Sequence, residues 1–224
     1  MDREKGTQGV NMKIGVGVIT MGVRPIKNYN LSENSELYVY TDVDKKGPSH
    51  ARNQCLKYFS EKDVDYIFLF DDDCYPTMYG WEEYFINEAK ESGVHYMAIP
   101  EYFKTEIYSY PESKVQYWAG NLGCFVFQDK ECLDKIGGYN TEYDRYGYED
   151  AARSLRAHKA GMTGKFSGFP FPIRGIAYIH SEDVFGENPA PNILHEDKME
   201  YVRKNAPIYQ KEINSEQIFY EYRK

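Results

Sequence analysis

Three carboxylates stand side by side at Asp71-Asp72-Asp73, directly after the apolar run Tyr66-Ile67-Phe68-Leu69-Phe70. Adjacent carboxylates repel, and each disfavours the ionised form of its neighbours. A divalent cation relieves that repulsion, and carboxylate oxygens are hard donors suited to Mg2+ or Mn2+. At such a place a cation can hold a diphosphate and take up the charge of a departing nucleotide. The plainer reading is an acidic loop that caps the next helix or is solvated. The position at the end of a buried-looking run, where α/β sheets open their ligand crevice, favours the cation.

A second carboxylate pair, Glu149-Asp150, follows Tyr146-Gly147-Tyr148. Acids in the first turn of a helix are favoured by its dipole, and that alone could account for them. The aromatics and Gly147 instead describe a loop that presents a carboxylate to a cleft, where it can take a proton from a hydroxyl. His180, in Tyr178-Ile179-His180-Ser181-Glu182-Asp183, follows a short predicted strand. Imidazole suits Mn2+, so His180 or its competitor His195 can complete the shell begun by the aspartates, although a lone His is more often structural.

The elements that must position these groups follow from hydrophobic periodicity and breakers. Strands are predicted over residues 13–20, 36–41 and 66–70, with a helix over 50–60 capped by Ser49 and another over 80–91. Strand–helix alternation with short connections points to an α/β fold with a mostly parallel sheet flanked by helices. Beyond residue 93 the pattern changes: strands over 94–100 and 115–127, helices over 130–136 and 149–160, and a helical, charged tail over 196–223. Residues 1–11 read as a disordered leader. The rest, 12–224, reads as a single domain, divided into 13–100, 101–195 and 196–224.

Bulk composition excludes some roles. The 224 residues are 42% hydrophobic, enough for one packed core. A net charge of −8 argues against coating a nucleic-acid duplex. Lys198, Arg203, Lys204, Arg223 and Lys224 could form a local basic edge, though a solvated helix face explains them as well. Cys55, Cys74, Cys124 and Cys132 form no C-x-x-C pair and no disulfide framework, which suits a reducing compartment. No run is long enough to be a transmembrane segment, and a cytoplasmic location is expected.

The order of motifs carries a resemblance. Val18-Ile19-Thr20, Gly47-Pro48-Ser49-His50-Ala51-Arg52-Asn53 and Phe68-Leu69-Phe70-Asp71-Asp72-Asp73 resemble the nucleotide-binding half of family-2-type GT-A glycosyltransferases, with Asp71 and Asp73 as the Asp-x-Asp (DXD) motif. Gly120-Asn121-Leu122-Gly123, residues 130–139, residues 146–150 and His180-Ser181-Glu182-Asp183 with Glu187-Asn188-Pro189 are similar to the β-1,4-galactosyltransferase type. The resemblance spans residues 13–190. It implies a Rossmann-like GT-A fold and an inverting hexosyl- or pentosyltransferase that uses Mn2+ or Mg2+ and a nucleotide-sugar donor, UDP-linked in the first instance.

Carried over position by position, it implies that Asp73 and His180 ligate the metal, with Asp71 on the ribose or on the metal through water. Thr20, Arg24, Asp42, Arg52, Asp71 and Asp72 belong to the nucleotide pocket. Asp150 is the implied base and Glu149 the group that orients the acceptor, with Tyr146, Gly120 and Asn121 on the acceptor side. Three positions depart from the pattern: Tyr146 stands where the family has Trp, Tyr148 where it has Gly, and Ala177, which cannot ligate, where it has Met. They bear on the acceptor and the metal preference more than on the reaction. The acceptor could be a saccharide, a glycolipid, a protein or a modified nucleobase.

Other readings use the same residues. A retaining transferase would share the aspartates but usually lacks an acid at Asp150. A metal-dependent phosphohydrolase or nuclease needs a second acidic cluster about 4 Å away. A non-catalytic sugar-nucleotide-binding module would not need the Glu149-Asp150 pair.

Overall fold

A computed structural model of the chain describes residues 12–101, 107–182 and 195–223. Residues 1–11, Asp183, the Glu187-Asn188-Pro189 segment, Lys224 and the His195 side chain, all singled out above, lie outside what is described.

The central sheet has the strand order β2-β1-β3-β8-β5. Strand β1 (Ile14–Thr20) lies between β2 (Ser35–Thr41) and β3 (Tyr66–Asp71) and is parallel to both. Strand β8 (Asn121–Asp129) runs antiparallel to β3 and to β5 (Tyr96–Pro100). The sheet is therefore mixed, with the single reversed strand β8 inserted between β3 and β5.

Alternation along the strands sorts side chains to two faces. Phe68, Phe70, Met97, Ile99, Phe125 and Phe127 join Trp81 and Phe85 of helix α2 (Trp81–Ser92) in one core. Ile67, Leu69, Tyr96, Ala98 and Val126 join Cys55, Leu56 and Phe59 of helix α1 (Pro48–Lys62) in the other. Helix α3 (Lys130–Ile136) and helix α4 (Glu149–Lys159) cover this second face through Leu133, Ile136 and Ala157. Strand β1 is buried throughout because helices and loops cover both its sides. Its Gly15 lets α1 approach closely: a Cβ there would lie 2.5 Å from the Phe59 ring.

Smaller elements complete the described chain. Strand β4 (Cys74–Pro76) follows the aspartates and pairs antiparallel with β10 (Ile179–Ser181). Strands β6 (Ile107–Tyr108), β7 (Val115–Trp118) and β9 (Phe169–Pro172) form a third sheet, and the single turn α5 (Gly175–Tyr178) leads into β10. Helix α6 (His195–Ile213) contains Pro207. No helix among the described residues is long and apolar enough to cross a membrane.

Three expectations need correction. Ser49 does not cap α1: Gly47 is the cap residue, Pro48 opens the helix, where its missing N–H costs nothing, and Ser49 is buried in the first turn. The run 115–127 is not one strand. It breaks at Ala119-Gly120 into β7 and β8, which belong to different sheets. The tail helix ends at Ile213; the chain then extends, and Tyr220 bridges to Gly137.

Candidate active site

The C-terminal end of β3, the start of α1 and the start of α4 meet at Arg52. This guanidinium is buried, with 2% of its surface exposed. Its Nη2 donates to Asp71 at 2.7 Å and to the Gly123 carbonyl at 3.0 Å, while Nη1 donates to Asp150 at 2.8 Å. Nη1 also lies 3.5 Å from Glu149. One side chain thus ties the triple-aspartate segment to the carboxylate pair, with Asp150 98 residues from Arg52 in sequence. Two donors in a rigid plane allow this, which a lysine could not match.

Three acidic side chains, Asp71, Glu149 and Asp150, share the one cation of Arg52. Burial pushes Glu149 well above the ordinary carboxylate range, and the Asp150 charge pushes it further, against the pull of Arg52. Asp71 is raised too, first by burial; Arg52 opposes this, and Asp73 and Asp150 add to it. Arg52 itself is held charged: burial works against it, but Asp150 and Asp71 more than compensate. The Glu149 Oε2 atom is buried without a hydrogen-bond partner.

The other two aspartates face the loop after β1. Thr20 donates its hydroxyl to Asp72 at 2.5 Å, and Arg24 donates to Asp72 at 3.1 Å and to Asp73 at 3.3 Å. Thr20, Arg24, Asp72 and Asp73 therefore form one cluster beside the Arg52 cluster. Asp42, predicted to line the nucleotide pocket, accepts the backbone N–H groups of Lys46 and Gly47 at 2.9 and 2.7 Å. In this structure it shapes the turn that leads into α1.

The pairing of β10 with β4 sets His180 beside the strand that follows the aspartates. His180 is opposite Tyr75, its ring 5.3 Å from the tyrosine ring, and the Glu182 N–H donates to the Asp73 carbonyl at 2.9 Å. Lys27 pairs with Glu182 at 2.6 Å. Carboxylate oxygens and an imidazole on neighbouring strands are suitable donors for Mn2+ or Mg2+. Among the described residues, however, no three His, Cys, Asp or Glu side chains form a ready-made cage.

The residues expected on the acceptor side occupy two places. Asn121 donates to the Ser154 hydroxyl at 2.9 Å, beneath α4, and Gly120 sits at the β7–β8 break. Tyr146 is exposed on the loop before α4, with the Lys198 ammonium 5.0 Å from its ring centre. That loop ends in unusual backbone: Gly147 has φ 96 and Tyr148 φ 73, the left-handed region that glycine enters freely and tyrosine does not.

A family profile described as the N-terminal domain of galactosyltransferase matches residues 107–180. The match supports a glycosyltransferase. It takes in Gly120, Asn121, Tyr146, Glu149, Asp150 and His180 and begins after the Asp71–Asp73 segment. Among solved structures, the catalytic domain of Drosophila β1,4-galactosyltransferase 7 in complex with xylobiose is similar, with 13% identity over 85% of this chain and 79% of that one and a TM-score of 0.44. A197 from STIV is similar with 16% identity over 56% of this chain and 69% of that one, at a TM-score of 0.36. No curated protein matches the sequence.

Several residues that shape the site are not legible as functional in the sequence. Gly123 belongs to a motif noted above, but its contact with Asp150 depends on the packing of β8 against α4. Asn205 and Tyr209 of α6 carry no sequence signal at all.

Proposed function

We propose that this chain is an inverting, divalent-metal-dependent glycosyltransferase that moves a sugar from a UDP-sugar to an acceptor hydroxyl. The observation that carries the reading is Arg52 joined to both Asp71 and Asp150. It brings the strand-end aspartates and the helix-start carboxylates to one guanidinium, the proximity that a reaction between a bound nucleotide sugar and an acceptor requires.

The proposed roles are those that the resemblance implies. Thr20, Arg24, Asp71 and Asp72 would face the nucleotide, with Arg52 behind them and Asp42 shaping the turn into α1. Asp73, Asp71 and His180 would hold the cation, whose chemistry is to neutralise the charge of the diphosphate. Tyr146, with Gly120 and Asn121, would receive the acceptor. Glu149, with a buried oxygen lacking a partner, would orient an acceptor hydroxyl. Asp150 takes the proton of that hydroxyl. The freed oxygen bonds to the anomeric carbon as the bond from that carbon to the diphosphate oxygen breaks, and the electron pair leaves with the nucleotide diphosphate. Attack from the opposite face inverts the configuration.

The test is a thermal-shift screen of UDP-, GDP-, CMP- and dTDP-sugars with and without Mn2+. A ligand that binds the folded state raises its stability by mass action. Stabilisation by UDP-sugars that depends on Mn2+ is expected. Metal-independent shifts, or none with a folded protein, would overturn the donor and metal assignments. Retention of anomeric configuration in the product, read by NMR, would overturn inversion.

A further inference from the structure

One face of α6 lies along the loop that delivers the Glu149-Asp150 pair. Lys198, Val202, Asn205 and Tyr209 recur at helical spacing. Three of them meet successive residues of the loop. Lys198 sits over the Tyr146 ring at 5.0 Å. Val202 packs on Gly147, where an added Cβ would come within 3.0 Å of it. Tyr209 stacks on Tyr148 with ring centres 4.7 Å apart and planes 17° from parallel.

Asn205 is fully buried and answers the loop backbone directly. Its Oδ1 accepts the Asp144 N–H at 2.9 Å. Its Nδ2 donates to the Tyr146 carbonyl at 2.9 Å and the Gly147 carbonyl at 3.1 Å, with Asp144 at 3.3 Å. These contacts bracket the left-handed stretch at Gly147 and Tyr148. Such a conformation is strained for a non-glycine residue and persists only where surroundings over-determine it. Glu149 and Asp150 are the next two residues, so the direction of α4, and with it the Asp150 carboxylate, depends on how the loop is held.

We propose that α6 sets the geometry of the carboxylate loop, with Asn205 as the positioning residue and the Tyr209–Tyr148 stack as its second fixing point. This rests on the role proposed for Asp150. Asn205 has no part in the chemistry; it acts through the loop.

Two readouts on the full chain separate the possibilities. Hydrogen–deuterium exchange over residues 140–150 is compared among wild type, Asn205→Ala, Tyr209→Ala, Tyr209→Phe and Leu133→Ala. The last is a core control on α3 away from the loop. Faster exchange of 140–150 is expected in Asn205→Ala and Tyr209→Ala, while Tyr209→Phe, which keeps the ring, stays near wild type. UDP release from UDP-galactose is the kinetic probe. Asn205→Ala is expected to lower kcat by about tenfold to a hundredfold, as misplacement of a reacting group does, with the donor KM within about twofold of wild type.

Unchanged exchange in the loop, or a rise no greater than Leu133→Ala gives at an equal loss of Tm, would overturn the proposal. So would faster exchange with unaltered kcat. If wild type releases no UDP from UDP-galactose or any other UDP-sugar, the transferase reading fails, and the exchange result still decides whether α6 holds the loop.

Discussion

The carboxylate of Asp150 rests against the bare Cα of Gly123. A Cβ on that glycine would overlap the carboxylate carbon and both its oxygens, and the Gly123 carbonyl accepts from the same Arg52 that holds Asp150. Gly123→Ala is therefore expected to fold with a loss of about 1–3 kcal/mol, the usual cost of overpacking, and to displace Asp150. Denaturant unfolding measures the cost. In an Asp150→Ala background the same substitution should cost at least about 1 kcal/mol less, because the colliding group is gone. Equal costs in the two backgrounds would show that the contact is not what requires glycine.

Asp150→Asn keeps the shape of the side chain and its contact with Arg52 through the amide oxygen, but removes its capacity to take a proton. The expected outcome is a folded protein whose UDP-sugar thermal shift is retained and whose transfer rate falls at least about a hundredfold, the usual contribution of a general base. Near-normal turnover would remove Asp150 from the role of base.

Arg52→Ala leaves Asp71 and Asp150 buried or half-buried without their cation. Breaking a buried pair from one side costs about 3–5 kcal/mol, so a large drop in the denaturation midpoint is expected. Arg52→Lys keeps the charge but cannot span both carboxylates and the Gly123 carbonyl. It should recover only part of that loss. Full recovery by lysine would mean that charge alone, and not the two-pronged geometry, holds the site together.

Glu149 gives a pH dependence with a definite sign. Burial, and next the Asp150 charge, raise its folded pKa from 4.5 to about 8, so the native state binds its proton more tightly than the unfolded chain does. Stability from this group is then lost as pH rises through the window between those values. In metal-free buffer, Glu149→Gln should gain on wild type between about pH 5 and about pH 8 in denaturant midpoint. A difference that stays constant across that range would refute the burial argument.

The tail is tied to the body by a second buried ion pair. Arg156 donates to Glu212 at 2.8 Å and also to the Ile136, Gly138 and Ile218 carbonyls. Glu212→Ala leaves that guanidinium without its anion, at an expected cost of about 3–5 kcal/mol by chemical denaturation. A change below about 1 kcal/mol would mean that the three carbonyls suffice.

The sequence by itself determined the periodic elements and the kinds of chemistry they could carry. The apolar runs 14–19 and 66–70 read as buried strands without any partner, although which core each side chain joins is not legible in them. The run before Asp71 marked a strand end, and Gly147 before Glu149 marked a loop feeding a helix. Tertiary structure decided what local pattern does not encode. The reversal of β8 beside β3 and the break at Gly120 depend on which edges find partners, not on the apolar content of 115–127. The resemblance assigns Arg52 to the nucleotide pocket; only packing makes it the bridge from Asp71 to Asp150, because a buried charge takes whichever opposite charges the fold brings to it. Asn205 lies 58 residues from the Gly147 carbonyl it satisfies. Its role comes from the backbone groups that the packing of α6 leaves without water, a condition that exists only once the chain has folded.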